Sequence, residues 1–194
     1  MNDKLNAQAM VGAMIIGNNG AADRCEAIGI YYAQCLDADG NIKWEDEFPN
    51  LVVNVGKNLI LDQALAGSAW TATGPFMGLI SSVSYTAIVA GDTMASHSGW
   101  TEAGSTNAPT FTARITTNGG WSAASGGAKA LASALSFTMT SGGTLEGCFL
   151  VGGSGAVATL MNTSGTLISA GLFTGGTRAV LTSDVVNVSY SMSI

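Results

Sequence analysis

Leu135-Ser-Phe-Thr-Met-Thr140 and Val185-Val-Asn-Val-Ser-Tyr190 carry the pattern that decides the fold. Leu135, Phe137 and Met139 alternate with Ser136, Thr138 and Thr140, and Val186, Val188 and Tyr190 repeat the alternation near the C-terminus. Side chains of a strand point to opposite faces with a period of two, so both stretches predict half-buried strands. Outward from them, residues 76–81, 111–116, 131–140, 144–151, 167–173 and 185–192 read as strands. Their turn signals are Asn118-Gly119-Gly120, Gly126-Gly127, Gly142-Gly143, Gly152-Gly153 and Gly175-Gly176. Upstream, the apolar, Tyr-containing residues 27–36 precede Asp37-Ala-Asp-Gly-Asn41 and Ile42-Lys-Trp44, the signature of a hairpin. Residues 51–54 read as a short third strand. Residues 57–65, with Leu59, Ile60, Leu61 and Leu65 and then Gly67, predict the one helix. Many short strands with Gly turns and no fixed internal period predict a mainly β protein: an antiparallel sandwich, jelly-roll-like, with one short helix.

The composition divides near residue 67. Residues 1–67 contain no Ser or Thr, whereas residues 68–194 contain all 38 of them and 19 of the 26 glycines. Charge runs the other way, with 13 charged residues in the first 67 positions and seven in the remaining 127. Ser, Thr and Gly are poor helix formers, which favours sheet for the larger part. The expected organisation is an extended N-terminal arm over residues 1–26, followed by one β-rich domain over residues 27–194. At 194 residues the chain can bury roughly 70% of its unfolded surface and needs no metal or disulfide to fold.

Seven basic against 13 acidic residues, a net charge of −6, argue against nucleic acid and anionic membrane as partners. No apolar run approaches the roughly 20 residues of a spanning helix. The three cysteines, Cys25, Cys35 and Cys148, form no C-x-x-C pair, and their odd number fits a reducing compartment. Residues 9–16 are apolar but lack a basic cluster and a small-residue cleavage site, so they read as part of the arm. Within it, Met10, Val11, Met14, Ile15 and Ile16 are the candidate interface residues, read as packing on a neighbouring subunit, with a disordered or locally folded terminus the equal alternative.

Chemistry finds little support. His97 is the single histidine; with Ser96 or Ser98 as nucleophile and Asp92 as orienting acid it could compose a triad. Adjacent side chains diverge, however, and a one-turn helix capped by Asp92 and closed by Gly99 is the favoured reading. One His and dispersed Cys give no zinc pair. Asp37-Ala-Asp-Gly-Asn41 begins like a calcium loop, but Phe48 stands where its closing Glu belongs, and a hairpin turn is preferred. Glu45-Asp46-Glu47 reads as a solvated loop, and none of the glycine pairs forms a phosphate-binding motif. Trp44, Trp70, Trp100 and Trp121 read as core or interface residues, with sugar stacking the other use of such rings. No catalytic residue, cofactor or metal site is predicted. A β surface this poor in Lys and Glu lacks the charges that guard free edges, so coverage by neighbouring copies or a larger lattice is expected.

Several segments resemble a family of small virion structural proteins of tailed bacteriophages. They are Asp37-Ala-Asp-Gly-Asn-Ile-Lys-Trp44, Asn50-Leu-Val-Val-Asn-Val-Gly-Lys57 through Leu61-Asp62, and Met77-Gly-Leu-Ile80. Gly91-Asp-Thr-Met-Ala-Ser-His-Ser-Gly-Trp-Thr-Glu102 is the most specific, joined by Gly147-Cys-Phe-Leu150 and Val185-Val-Asn-Val-Ser-Tyr190. The resemblance covers about residues 27–194. It implies a non-enzymatic capsid cement or decoration protein, made in the host cytoplasm, sitting on the capsid surface as a homo-oligomer and contacting the major capsid protein. A tail or fibre component binding a host glycan or protein is the alternative. The family's Arg-Pro after Trp-Thr-Glu is replaced here by Gly104-Ser-Thr-Asn-Ala-Pro109.

Overall fold

The computed structural model describes residues 14–16, 22–24, 26–65, 74–117 and 120–194. The elements are β1 (Met14–Ile16), β2 (Ala22–Arg24), β3 (Ile28–Leu36), β4 (Ile42–Val52), α1 (Asn54–Leu65), β5 (Phe76–Ser81), β6 (Thr101–Glu102) and β7 (Ile115–Thr116). They continue with β8 (Ala128–Ala130), β9 (Leu135–Thr138), β10 (Gly143–Gly152), β11 (Thr166–Leu172), β12 (Arg178–Val180) and β13 (Val185–Ser193). Strands β1 and β2 pair with each other, Met14 opposite Arg24. The other eleven form one antiparallel sheet with the path β6-β5-β10-β11-β4-β3-β13-β8, β7 beside β5, β12 beside β10 and β9 beside β13.

The sheet folds into a sandwich because β4 belongs to both halves. Its first part pairs with β3 through Pro49 opposite Ile30, and its last residues pair with β11, Asn50 opposite Gly171. Pro49 has no N–H to give, and it stands where the strand changes partners, a position that tolerates the missing donor. The predicted break at this point is therefore a single strand, and Asn54, expected to end a third strand, opens the helix.

Inward-facing Tyr31, Ala33, Cys35, Phe48, Phe137, Val186, Val188 and Tyr190 of the first half meet Met77, Leu79, Cys148, Leu150 and Ile168 of the second. The alternation in residues 135–140 and 185–190 thus sets the inner face as predicted. The second half is buried on its other side as well. Phe76, Ile80, Phe149, Val151 and Leu167 point there and are covered by Met94, Trp100, Val53 and Ala156. Every residue of β5 is buried for this reason.

Helix α1 leans on β11 at Gly56, where an added Cβ would stand 2.2 Å from the Ile168 carbonyl oxygen. Gly56 is the only one of its residues fully buried, and Leu61 and Leu65 are exposed. The Asp37 turn is a hairpin as predicted: Asp37 Oδ1 accepts from the backbone N–H groups of Asp39 and Asn41, and Gly40 takes φ 86°. Those bonds, Asn41's first, hold the Asp37 carboxyl below the usual range.

Other expectations are corrected. Of residues 111–116 only Ile115–Thr116 is strand, and of residues 131–140 only Leu135–Thr138. The edge strands β6, β7, β8 and β9 are two to four residues long, which blunts the edges, and β8 carries the exposed Lys129. Residues 92–99 form turns closed by a Thr93–Ser96 bridge, not a one-turn helix. Of the five arm residues, Met10 and Val11 lie outside the described residues, and Met14, Ile15 and Ile16 make up β1. Trp70 and Cys25 also lie outside them.

Candidate functional site

The charged residues of the second part of the chain fold inward. Asp92, Glu102, Arg114 and Asp184, four of the seven in residues 68–194, are buried. Glu102 and Arg114, with side chains 3% and 0% exposed, form a two-pronged pair: Arg114 Nε donates to Glu102 Oε1 at 2.7 Å and Nη2 to Oε2 at 2.8 Å. The guanidinium also donates to the carbonyls of Val157 and Asn162, and the Met161 N–H donates to Glu102 Oε2. Arg114 lies over the Phe149 ring at 5.4 Å. With these donors matched, the pair clamps residues 157–162 to β6.

A cavity of about 130 Å³ adjoins the pair and also touches His97. His97 Nδ1 stands 3.0 Å from the Trp100 carbonyl oxygen, and its ring stacks on the Trp100 indole at 3.9 Å. Asp92 Oδ2 accepts from Trp100 Nε1 and from the Val89 N–H, each at 3.0 Å. Asp92 and His97, two of the three members of the conceivable triad, are thus engaged by Trp100 and not by each other. Asp92 ties the loop to the core in place of capping a helix.

Asp46, expected in a solvated loop, is buried in β4 beside Arg178. It accepts from Arg178 Nη2, from the Thr174 N–H and from the Thr174 hydroxyl. Burial pushes its carboxyl up, but the hydrogen bonds from Thr174 and Arg178 outweigh it and hold it below the usual range. A depressed carboxyl stabilises the fold above its unfolded value of about 4 and loses that contribution as pH falls further. The stability difference between the wild type and Asp46→Asn should therefore shrink between about pH 4 and pH 2 in acid-unfolding titrations. Asp184 makes the third clasp, accepting from Lys43 Nζ and the Leu181 N–H.

Among the described residues no group of three His, Cys, Asp or Glu side chains could hold a metal ion. Cys35 and Cys148 are buried free thiols; burial, with Asp184 nearby, pushes Cys35 up to about 12, and burial alone pushes Cys148 higher. Neither is a nucleophile near neutral pH. No described helix is long and apolar enough to cross a membrane.

Two apolar surfaces stand out among the described residues. On the outer face of the first half, Ile28, Ile30 and Tyr32 of β3 stand exposed, Ile30 opposite Pro49, with Leu51 two residues further along β4. The second is a cleft of about 600 Å³. It is lined by Leu59 and Ile60 of α1 and by Trp121, Leu150, Ile168, Tyr190 and Met192. The polar tips of these residues are already occupied. Tyr190 Oη accepts from Asn50 Nδ2, Trp121 Nε1 donates to Thr117 Oγ1, and Lys129 Nζ on the rim donates to the Ser122 carbonyl. A glycan site needs convergent donors and acceptors, and this cleft offers apolar faces.

Of the tryptophans, Trp100 is core and Trp44 half-buried, its Nε1 donating to the Ala179 carbonyl. Sequence reasoning missed the cleft, whose lining comes from six separate stretches of chain. It also missed the clamps, although the rarity of charge in residues 68–194 was a signal that each charge there has a partner. No protein-family model, curated protein or solved structure matches this chain.

Proposed function

We propose that the chain is a non-enzymatic structural protein of a tailed-phage virion, a cement that stabilises the lattice of the major capsid protein. The observation that carries this reading is the direction in which the charges point. With four of seven buried, the surface of residues 68–194 presents only Lys129, Glu146 and Arg178 as charged groups. A β surface so nearly neutral suits coverage by neighbouring subunits better than life as a free solute. The exposed face of Ile28, Ile30, Tyr32, Pro49 and Leu51 supplies an apolar patch of the kind that marks interaction sites. Ion pairs and thiols serve packing, so the molecule acts by contact area and not by bond making.

The resemblance of the Gly91–Glu102 stretch to virion structural proteins points the same way. That stretch holds Asp92, His97 and Trp100, which anchor the loop over the second sheet half. Purified chain added to phage shells that lack it should bind to saturation at a fixed ratio to the capsid subunit. It should also raise the temperature at which the shells come apart, because a ligand of the assembled state stabilises that state by mass action. Shells that neither take up the chain nor gain heat resistance would contradict the reading.

A further inference from the structure

The two halves of the sandwich differ in what lies over their outer faces. The second is covered by its own chain, with Met94, Trp100, Val53 and Ala156 packed over Phe76, Ile80 and Phe149. Over the first, Ile28, Ile30 and Tyr32 of β3 stay 47%, 39% and 37% exposed, although their inward neighbours Tyr31 and Ala33 are fully buried. Alternation along the strand sets the three side by side as one apolar stripe.

The register gives this stripe two unlike borders. On one side Ile30 stands opposite Pro49, Tyr32 opposite Glu47 and Gln34 opposite Glu45. On the other, Ile28, Ile30 and Tyr32 stand opposite Ser193, Ser191 and Ser189. Both glutamates are exposed, and Tyr32 Oη donates to Glu45 Oε2 at 2.8 Å, which holds that carboxylate beside the stripe. The cations of β3, β4, β8, β9 and β13 are Lys43 and Lys129, and neither meets these glutamates. Lys43 Nζ bonds to Asp184, and Lys129 Nζ donates to the Ser122 carbonyl.

A partner that covers two carboxylates without bringing a cation leaves them desolvated and unpaired, which opposes binding. A second copy of the chain, docked by the same face, brings hydroxyls and more carboxylates. The complementary surface is therefore apolar and bordered by Lys or Arg. Strand addition at the sheet edges is the poorer route, since β6, β8 and β9 offer only two to four residues to pair with.

We propose that the outer face of β3 and β4 seats the chain on the capsid lattice, against an apolar patch of the capsid protein bordered by Lys or Arg. The inference rests on the virion reading and adds to it the face and the chemistry of the partner. Tyr32 is the central anchor, its ring in the apolar contact and its hydroxyl on Glu45. The glutamates steer the approach, so binding weakens as salt screens them.

The test titrates the full chain onto phage shells that lack it, at low and at high salt, with melting curves to show that each variant is folded. Ile28→Asp with Ile30→Asp should weaken binding roughly tenfold or more. Glu45→Gln with Glu47→Gln keeps the side-chain size and should weaken binding several-fold at low salt and little at high salt, flattening the salt dependence. Leu61→Asp, on the exposed side of α1, should bind as the wild type does. An isoleucine pair that binds like the wild type, or a Leu61→Asp control weakened as much as that pair, would overturn the assigned face while the cement role stands. A salt dependence unchanged in the glutamine pair would overturn the basic border. A wild-type chain that binds the shells at neither salt would overturn the virion reading and this inference together.

Discussion

Glu102→Ala should lower stability by about 3–5 kcal/mol, because it leaves the buried Arg114 guanidinium charged and without its carboxylate partner. The Arg114 side chain is 0% exposed and spends two of its donors on Glu102. The same substitution strips the Met161 N–H of its acceptor and frees residues 157–162 from β6. For a chain of this length the loss corresponds to a fall in melting temperature on the order of 10 °C. The penalty belongs to the orphaned charge and not to the pair as such. A double variant, Glu102→Met with Arg114→Met, should therefore recover much of the loss. Calorimetry of the three proteins decides it: a double variant less stable than Glu102→Ala would mean that the pair itself supplies the stability.

The second large effect lies at Trp100, 1% exposed and packed on Phe149 at 5.2 Å. Trp100→Ala should cost about 3–5 kcal/mol by opening a cavity under the loop of residues 82–100. It also removes the Nε1 donor from the buried Asp92 carboxylate and the ring on which His97 stacks. Trp100→Phe keeps most of the volume but not the donor, so it should fall between, at about 1–3 kcal/mol. Denaturant midpoints separate the two contributions. A Phe variant as damaged as the Ala variant would place the effect in the hydrogen bond to Asp92, and a harmless Ala variant would remove the loop from the core altogether.

The strands that build the sandwich were legible where alternation was clean, as in Leu135 to Met139 and Val186 to Tyr190. Alternation in fact continues through the acidic cluster: Trp44, Asp46 and Phe48 share one face of β4, and the outer three, Glu45, Glu47 and Pro49, share the other. Charge hid the phase, since a carboxylate on an inner face is acceptable only with partners, and those, Thr174 and Arg178, are more than 120 residues away. Pro49 likewise reads as a break unless the change of pairing partner is known. The two- and three-residue strands β6, β7 and β8 exist because longer strands offer them an edge, so no local pattern marks them. The Glu102–Arg114 pair spans twelve residues with no period joining its members. Only the scarcity of charge around them carried the information that they must meet.

Burial of those charges, and the sparsely charged surface it leaves over residues 68–194, is what the proposed role depends on. The direct measurement is the copy number of the chain in purified virions, by quantitative mass spectrometry against the major capsid protein. A cement predicts a fixed ratio with a copy number comparable to that of the capsid protein. A handful of copies per particle, or none, would contradict it.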